Sequence, residues 1–543
     1  DGFWVIRDRA DKNILYFESQ GGNAVRRHIA TNETKPIKPY EQPGEMKLRW
    51  NWSTPLTQSP TNPHRIYMCA QYVFSSSDHG DSWQRISPDL TTNDSAKFDP
   101  QNSGGVTADN TSAENHCTIV SIAESPLDEK ILWAGTDDGN LQVTKDGGRT
   151  WDLCNTHLPL DIPSGTWVSC VEPGHFTKGT CYVTFDNHTR GDMKPYMART
   201  TDYGQTWTRL KSDSLRGFAH VVREDLINRD LLFAGTEYGL FISTDAGSSW
   251  AQFKGKMPST PVRDLQIHPR DHDLIIATHG RGVFILDDIT PLRSLTNGVM
   301  SNELTFLPNR PTVLRNESGF QEFEGADEFV GPGPRGDARI TYFLRSRHVV
   351  GDMTIEILDS NDNVLTTVPA SKRKGINMVG WAMNIKPPRV AVSKNTGGGD
   401  FGPTVLAGSY KVRIRKNDKV FFGNVAIAND PRSIHSAVDR AKNHAAMMKL
   451  YALIERLAFA AEQITGVRDS LSARAVSSSA VKNCIERCDA LHKTVVAKKS
   501  SLFADTEPQL REKLAEIYGD IAQSTGAPSV TQSTRVDAMT SAV

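Results

Sequence analysis

Short apolar runs separated by polar turns recur through the first 300 residues of the chain. Each run has four or five apolar residues and follows a turn that contains Pro or Asp, as in "SPLDEKILWAGTDDGN" and "REDLINRDLLFAGTEYG". Four further segments have this form: "DRADKNILYFESQGGN", "SPTNPHRIYMCAQ", "EPGHFTKGTCYVTFDN" and "HPRDHDLIIATHGRG". Strands of this length that return every ~40–60 residues indicate radially repeated four-stranded sheets. The pattern therefore predicts a β-propeller with six blades or parts of blades.

Four of the six segments lead into one motif, Ser/Thr-x-Asp-x-Gly-x-Ser/Thr-Trp, which the first and sixth segments lack. Its Asp can accept hydrogen bonds from its own turn, its Gly can take a positive φ, and its Trp can pack between sheets. We interpret it as the structural closure of a hairpin, with Trp151 and Trp207 largely buried, because an active site would need only one copy. The motif residues are Asp78, Gly80, Trp83, Asp146, Gly148, Trp151, Asp202, Gly204, Trp207, Asp245, Gly247 and Trp250.

This motif is the Asp-box, or bacterial neuraminidase repeat, and the chain resembles the Asp-box propeller family of sialidases, sortilin-type receptors and xyloglucanases. The likeness is strongest to large secreted bacterial proteins described as sortilin-like or glycosyl-hydrolase-like. It rests on "CTIVSIAESPLDEKILWAGTDDGNLQVTKDGGRTW" and "THGRGVFILDDITPLR". The resemblance implies a β-propeller and an extracellular or periplasmic location. It does not fix the function, since one fold hosts many functions.

The pattern changes after residue 300. Residues 301–337, rich in Gly, Pro, Asn and Glu, predict a linker or loop. Alternating strands over 338–432 predict an Ig-like β-sandwich with Trp381 in its core. Apolar residues at 3–4 spacing within 433–543 predict a helical hairpin or bundle. The expected fold is thus mainly β, with a propeller over 1–300, a sandwich and C-terminal helices.

The first residues, "DGFWVIRD", enter directly on a strand-like run without a capping turn. We therefore expect the propeller to be incomplete at this end. An upstream segment or a second chain would complete the ring.

Charge and cysteine content narrow the function classes. Lys plus Arg number 62 and Asp plus Glu 63, so the chain has no basic excess that would favour nucleic acid. No apolar run approaches the ~18 residues of a membrane span. The sequence predicts no metal site and no cofactor.

Cys170 and Cys181 flank one predicted turn and form a candidate disulfide, whereas Cys484 and Cys488 are expected to be buried thiols of a helix.

Radial symmetry brings equivalent turns of different blades to one rim of the central channel. Three hypotheses for this rim stay open: a solvated surface, a surface that binds a peptide, glycan or partner domain, and a catalytic site. Arg281 is the best single candidate for a ligand contact, although an ion pair with Asp287 or Asp288 is an equal alternative. The candidate rim residues are Glu18, Asp137, Asp138, Asp186, His188, Glu237, Tyr238, His279 and Arg281.

Neither glycosidase arrangement can be assembled from the sequence. A sialidase needs three arginines, and Arg263 and Arg281 find no third at a corresponding place. A xyloglucanase places its acids between two propellers, and this chain has repeats for one propeller only.

We therefore predict a binding or assembly module that recognises a protein, peptide or glycan. The alternative is a sialidase-like or xyloglucanase-like glycoside hydrolase that needs a missing N-terminal half.

Overall fold

The computed structural model of the chain describes residues 3–98, 115–315, 336–393, 399–473, 478–497 and 508–543. The chain divides into two compact units, residues 1–296 and 297–543. Each unit encloses its own hydrophobic clusters. Among the described residues, no helix combines the length and apolar character that a membrane crossing requires.

Six antiparallel sheets follow one another along the first unit, each a meander of consecutive strands. We number them blades 1 to 6; in the described part of the chain, blades 1–5 have four strands and blade 6 has three. Blades 1–3 consist of β1 Val5–Arg7, β2 Ile14–Ser19, β3 Asn23–His28 and β4 Thr34–Pro36; β5 Leu56–Gln58, β6 Ile66–Cys69, β7 Val73–Ser76 and β8 Gln84–Arg85; β9 Ile119–Ser125, β10 Asp128–Thr136, β11 Leu141–Thr144 and β12 Asp152–Leu153. Blades 4–6 consist of β13 Trp167–Pro173, β14 Cys181–Asp186, β15 Tyr196–Thr200 and β16 Thr208–Arg209; β17 Ala219–Glu224, β18 Leu232–Thr236, β19 Gly239–Ser243 and β20 Ala251–Gln252; β21 Val262–Ile267, β22 Leu274–Thr278 and β23 Val283–Leu286.

The first strand of each blade is its inner strand. The inner strands β9, β13, β17 and β21 pack against one another in succession, and β1 packs against β5. The second strands lie between neighbouring sheets, and β6, β14 and β18 bury all of their residues. Strands covered on both faces need apolar or small residues on both. This is why their sequences lack a polar alternation, and the arrangement is that of a β-propeller.

The second unit begins with two sheets that enclose one core. One sheet has the order β24 Leu304–Leu307, β26 Ala338–Leu344 and β29 Gly375–Trp381. The other has the order β25 Thr312–Leu314, β31 Lys419–Asn429, β30 Gly408–Lys416, β27 Met353–Leu358 and β28 Val364–Pro369. Trp381 lies in the shared core, where its indole Nε1 donates a 2.9 Å hydrogen bond to the Asn384 carbonyl.

Helices complete both units. α1 Thr290–Arg293 closes the first unit, and the second contains α2 Asn297–Ser301, α3 Ala437–Ser472, α4 Ser479–Val495, α5 Leu510–Ala522 and α6 Val530–Ala542. A capping box starts α3, because Ser436 Oγ accepts from the Asp439 N–H at 3.2 Å and the Asp439 carboxylate accepts from the Ser436 N–H at 3.0 Å. The apolar face of α3 packs with α5 and α6 in one hydrophobic cluster.

The expected linker over 301–337 contributes strands instead. β24 pairs with β26, and β25 pairs in parallel with β31. Both strands are short, four and three residues, which is why composition alone did not reveal them. Residues 316–335 of this segment lie outside the described residues.

The expected disulfide between Cys170 and Cys181 is wrong. The register of β13 and β14 places Cys170 opposite Thr184 and Cys181 opposite Pro173, and both thiols are free. The Cys170 sulfur lies 2.9 Å from Arg223 Nη1.

The expected burial of Cys484 and Cys488 is also wrong. Cys484 is exposed and Cys488 is partly exposed. The buried residue of α4 is Val495, near its C-terminal end. The helix therefore does not bury the face on which these two cysteines lie.

Candidate functional site

The four Asp-box turns join the third strand to the fourth strand in blades 2–5. In the first of them, the Asp78 carboxylate accepts from the Ser82 N–H at 2.9 Å, from Ser82 Oγ at 2.6 Å and from Ser76 Oγ at 2.7 Å. Asp146, Asp202 and Asp245 repeat these contacts. The hydrogen bonds from Ser82 lower the pKa of Asp78 to about 2. The carboxylates are occupied within their own turns, which supports a structural role.

Two of the motif tryptophans, Trp83 and Trp151, connect their turns to the preceding blade by hydrogen bonds. Trp83 Nε1 donates to the Ile37 carbonyl at 2.7 Å, and Trp151 Nε1 donates to the Ile86 carbonyl at 3.2 Å. Trp250 is buried, but Trp151 and Trp207 are half-buried, less than the sequence predicts. The turn lies near the blade's outer strand, so one side of these indoles faces solvent.

Four of the five candidate rim carboxylates are buried, and three of them, Glu18, Asp137 and Asp138, hold loops in place. Glu18 accepts from the Thr54 N–H at 3.0 Å, and Asp137 accepts from the Thr118 N–H at 2.8 Å. Asp138 accepts from the Thr92 N–H at 2.8 Å. Their exposed fractions are 2, 6 and 5%. The expectation that Glu18, Asp137 and Asp138 face a common solvated space is therefore corrected.

The pKa values of two of these buried acids shift in opposite directions. Burial raises the pKa of Glu18 to about 8, since the carboxyl receives few hydrogen bonds and its Oε2 has no partner among the described residues. Burial also opposes ionisation of Asp138, but hydrogen bonds from the hydroxyls of Thr136 and Thr92 outweigh it and lower the pKa.

The other candidate rim residues differ in exposure. Tyr238, His279 and Arg281 are exposed, and Glu237 is half-buried. Arg281 lies in a turn between two glycines with positive φ, and its guanidinium forms no ion pair with the described residues. The pairing of Arg281 with Asp287 or Asp288 is thus not found in the described part of the chain.

A β-bulge recurs at one position of the inner strand in blades 3–6. The register shifts single out Val120, Ser169, His220 and Arg263. A bulge redirects a side chain and is common beside functional sites. In blades 4, 5 and 6 the bulged residue is polar, so three neighbouring inner strands place a hydroxyl, an imidazole and a guanidinium at equivalent positions.

Asp186, the last residue of β14, accepts hydrogen bonds from His188 and His220 and forms a longer ion pair with Arg263, whose Nη1 also lies 3.4 Å from His220 Nδ1. It is buried, and its carboxylate lies 2.5 Å from His188 Nδ1, 3.1 Å from His220 Nδ1 and 3.9 Å from Arg263 Nη1. Burial opposes ionisation of Asp186, but the hydrogen bonds from His220 and His188 lower its pKa. Phe218 completes the group: the His188 ring stacks on it at 4.4 Å and the Arg263 guanidinium lies 5.2 Å from its centroid. We call these five residues the channel cluster.

The channel cluster positions donors that still reach solvent. The side chains of His220, Arg263 and His188 are 27, 32 and 39% exposed, whereas Asp186 and Phe218 are buried. Such an arrangement suits recognition of an acceptor group on a ligand.

The hydroxyls nearby do not form a nucleophile and base pair with the cluster. Ser169 Oγ lies 2.8 Å from Thr184 Oγ1, which in turn donates to the His220 carbonyl at 2.9 Å. These hydroxyls therefore bond to each other and to the backbone instead of an imidazole nitrogen. Among the described residues, no group of three or more His, Cys, Asp or Glu has a metal-binding arrangement.

His220 and Phe218 are not among the residues predicted from the sequence, and Arg263 entered only as one of a sialidase's three arginines. The predicted rim consists of turns after the second strands, whereas His220 and Arg263 lie on inner strands. Aligning "CTIVSI", "TWVSCV", "FAHVV" and "TPVRDL" would have placed Ser169, His220 and Arg263 in one column.

Comparison with known proteins gives one family match. The model of the family described as "Sortilin, neurotensin receptor 3" matches residues 196–291, which is less than half of the chain and runs from β15 to α1. No curated protein sequence matches the chain.

Several solved structures are similar at low sequence identity. A GH74 xyloglucanase from Xanthomonas campestris is 14% identical with a TM-score of 0.39, over 78% of this chain and 60% of that one. The extracellular domain of a hybrid two-component system from B. thetaiotaomicron is 10% identical with a TM-score of 0.36, over 79% and 50%. YCF48 bound to D1 peptide is 11% identical with a TM-score of 0.27, over 51% and 89%. The chain thus spans 60 and 50% of the length of the first two structures.

Proposed function

We propose that the propeller is an extracellular or periplasmic binding module whose channel cluster contacts a protein, peptide or glycan partner. The observation that carries this proposal is the position of His220 and Arg263 at equivalent bulges of adjacent inner strands, both directed at Asp186. Asp186 holds His220 by a hydrogen bond, and Arg263 is held by a longer ion pair with Asp186 and a contact with His220, while part of each side chain stays exposed. Donors fixed in advance bind a ligand with less loss of side-chain entropy.

Arg281 extends this surface toward the rim. The turn that carries Arg281 lies beside the start of β21, the inner strand that contains Arg263. The His279 N–H of this turn donates a 2.9 Å hydrogen bond to the Pro261 carbonyl, just before β21. A guanidinium can bind a carboxylate through two parallel hydrogen bonds. We therefore include Arg281 as a peripheral contact.

Binding to peptide and glycan arrays tests the proposal. The wild-type chain is compared with the double variant His220→Ala/Arg263→Ala and with Arg281→Ala. Arg270→Ala is the matched control, since Arg270 belongs to the same blade and pairs only with the exposed Asp271 among the described residues. We expect the double variant to lose the partners that the wild type retains and the control to keep them.

Two results would overturn this function. Partner retention that is unchanged in the double variant would remove the channel cluster from the site. Hydrolysis of sialosides or xyloglucan that disappears in Asp186→Asn would favour a glycoside hydrolase instead.

A further inference from the structure

A cleft of about 420 Å³ lies in blade 5. Three connections form it: the loop before β17 supplies Arg216, the turn between β18 and β19 supplies Tyr238, and the loop after β20 supplies Lys254. Its volume falls within the ~300–1,000 Å³ of small-molecule sites. Its described lining includes none of the channel-cluster residues.

The charged side chains of the cleft are all basic. Arg216 and Lys254 are exposed, and neither forms an ion pair with a described residue. The neighbouring acids Asp213 and Glu237 are not part of the described lining. Two cations without counter-charges at one cleft favour an anionic ligand.

Tyr238 supplies a fixed aromatic surface beside these cations. Its carbonyl accepts 2.9 Å hydrogen bonds from Gln252 Nε2 and Ser259 Oγ. Its ring packs against Gly217, where a Cβ would lie 2.9 Å from Tyr238 Cδ2 and the φ is +71°. A residue larger than glycine would displace the ring. The side chain remains 48% exposed, so an ordered aromatic ring is open to a ligand.

We propose that this cleft binds a uronic-acid unit of an acidic saccharide. The C–H face of a pyranose carries partial positive charge and packs on the negative face of an aromatic ring. Its carboxylate then reaches Arg216, which can bind it through two hydrogen bonds, and Lys254. Phe253 and Met257 supply the apolar part of the wall. The lining of this cleft shares no residue with the channel cluster, and its proposed ligand is restricted to acidic saccharides.

Calorimetric titration of the whole chain with three probes tests this assignment. The probes are trigalacturonate, its fully methyl-esterified form, and triglutamate. The ester keeps the rings and removes the charge, whereas triglutamate keeps the carboxylates and removes the rings. We expect trigalacturonate to bind and each of the other two to bind at least about tenfold more weakly, since each lacks one of the two contacts.

Variants then locate the binding. Arg216→Ala, Lys254→Ala and Tyr238→Ala should each weaken trigalacturonate binding by about tenfold or more. Tyr238→Phe keeps the ring and should retain the affinity. Lys256→Ala is the charge-matched control, because Lys256 is exposed two residues from Lys254 and is not part of the described lining.

Three outcomes would overturn the proposal. The first is that trigalacturonate shows no measurable binding. The second is that Lys256→Ala and Lys254→Ala lose equal affinity for trigalacturonate, and the third is that triglutamate binds as tightly as trigalacturonate. The last would assign the cleft to an acidic peptide. Since His220 and Arg263 stay in place throughout, this proposal and the function of the channel cluster can fail separately.

Discussion

The hydroxyl of Tyr67, on the second strand of blade 2, donates a 2.6 Å hydrogen bond to Glu124, on the inner strand of blade 3. The same relationship recurs between blades 4 and 5, where Tyr182 donates to Glu224 at 3.0 Å. All four residues are buried. A buried carboxyl group on an inner strand therefore accepts a hydrogen bond from the preceding blade, which links blades by polar contacts as well as by apolar packing.

Replacing Tyr67 by Phe should destabilise the propeller by about 1.5–3 kcal/mol, as expected for a hydrogen bond to a charged group. Glu124 would keep its hydrogen bonds from Ser59 and Thr61, so the protein should still fold. Urea unfolding gives the free energy. Tyr72→Phe is the control, because it removes the same atom from a half-buried tyrosine whose hydroxyl has no partner among the described residues. Equal effects of the two changes would contradict the role of the Tyr67 hydrogen bond.

Substitutions at two adjacent glycines of one Asp-box can distinguish the cost of backbone strain from the cost of a steric clash. Both Gly147 and Gly148 have a positive φ, so alanine at either position should cost about 1–2 kcal/mol. At Gly148 a Cβ would also lie 2.4 Å from the Ile86 carbonyl oxygen, whereas nothing lies within 4 Å at Gly147. We therefore expect Gly148→Ala to lower the melting temperature clearly more than Gly147→Ala. A similar shift for both would mean that the turn moves freely away from blade 2.

The repeated elements were predictable from sequence because each pattern occurs several times. The apolar runs "ILWAG" and "LLFAG" form parts of β10 and β18, and the alternating segments within residues 338–432 form β26 to β31. The Asp-box turn is also predictable from its local sequence. The Ser or Thr two residues before Asp78 or Asp146 donates its hydroxyl hydrogen bond to that Asp within the same turn.

The candidate site was less predictable, because it depends on contacts between blades. Whether an acid such as Asp137 faces solvent or a loop depends on residues distant in sequence, here Asn51 and Thr118. The cluster around Asp186 joins residues from three blades, and two of them, His220 and Arg263, lie at bulges, which shift the side-chain register by one residue. A single-strand pattern does not contain that information.

Removing one partner of the ion pair between Arg293 and Asp225 should strongly destabilise the first unit. Arg293 Nε and Nη2 each donate a 2.9 Å hydrogen bond to Asp225, and both side chains are buried. Arg293→Met would leave a buried carboxylate without its counter-charge, and we expect a loss of about 3–5 kcal/mol in urea unfolding. Arg270→Met, which breaks the exposed pair with Asp271, should cost no more than about 1 kcal/mol. A loss that small for Arg293→Met would show that Asp225 is stabilised by its backbone hydrogen bonds alone.

Glu18 should make the stability of the first unit fall as the pH rises from about 4.5 to about 8. Its pKa is 4.5 in an unfolded reference and about 8 in the folded protein. Between these values the folded state holds a proton that the unfolded state has released, so the free energy of unfolding decreases with pH, by up to about 1.4 kcal/mol per unit.

Glu18→Gln removes this dependence, because an amide cannot ionise and its oxygen can still accept from the Thr54 N–H. The variant should match the wild type near pH 4.5 and exceed it in stability at pH 8, as measured by urea unfolding at several pH values. Glu33→Gln, which neutralises an exposed carboxylate of the same blade, accounts for the general effect of removing one charge. If the advantage of Glu18→Gln does not grow with pH, Glu18 is ionised in the folded protein. In that case Lys38, whose ammonium donates to the Gly21 carbonyl at 2.7 Å, would be the nearby charge that compensates it.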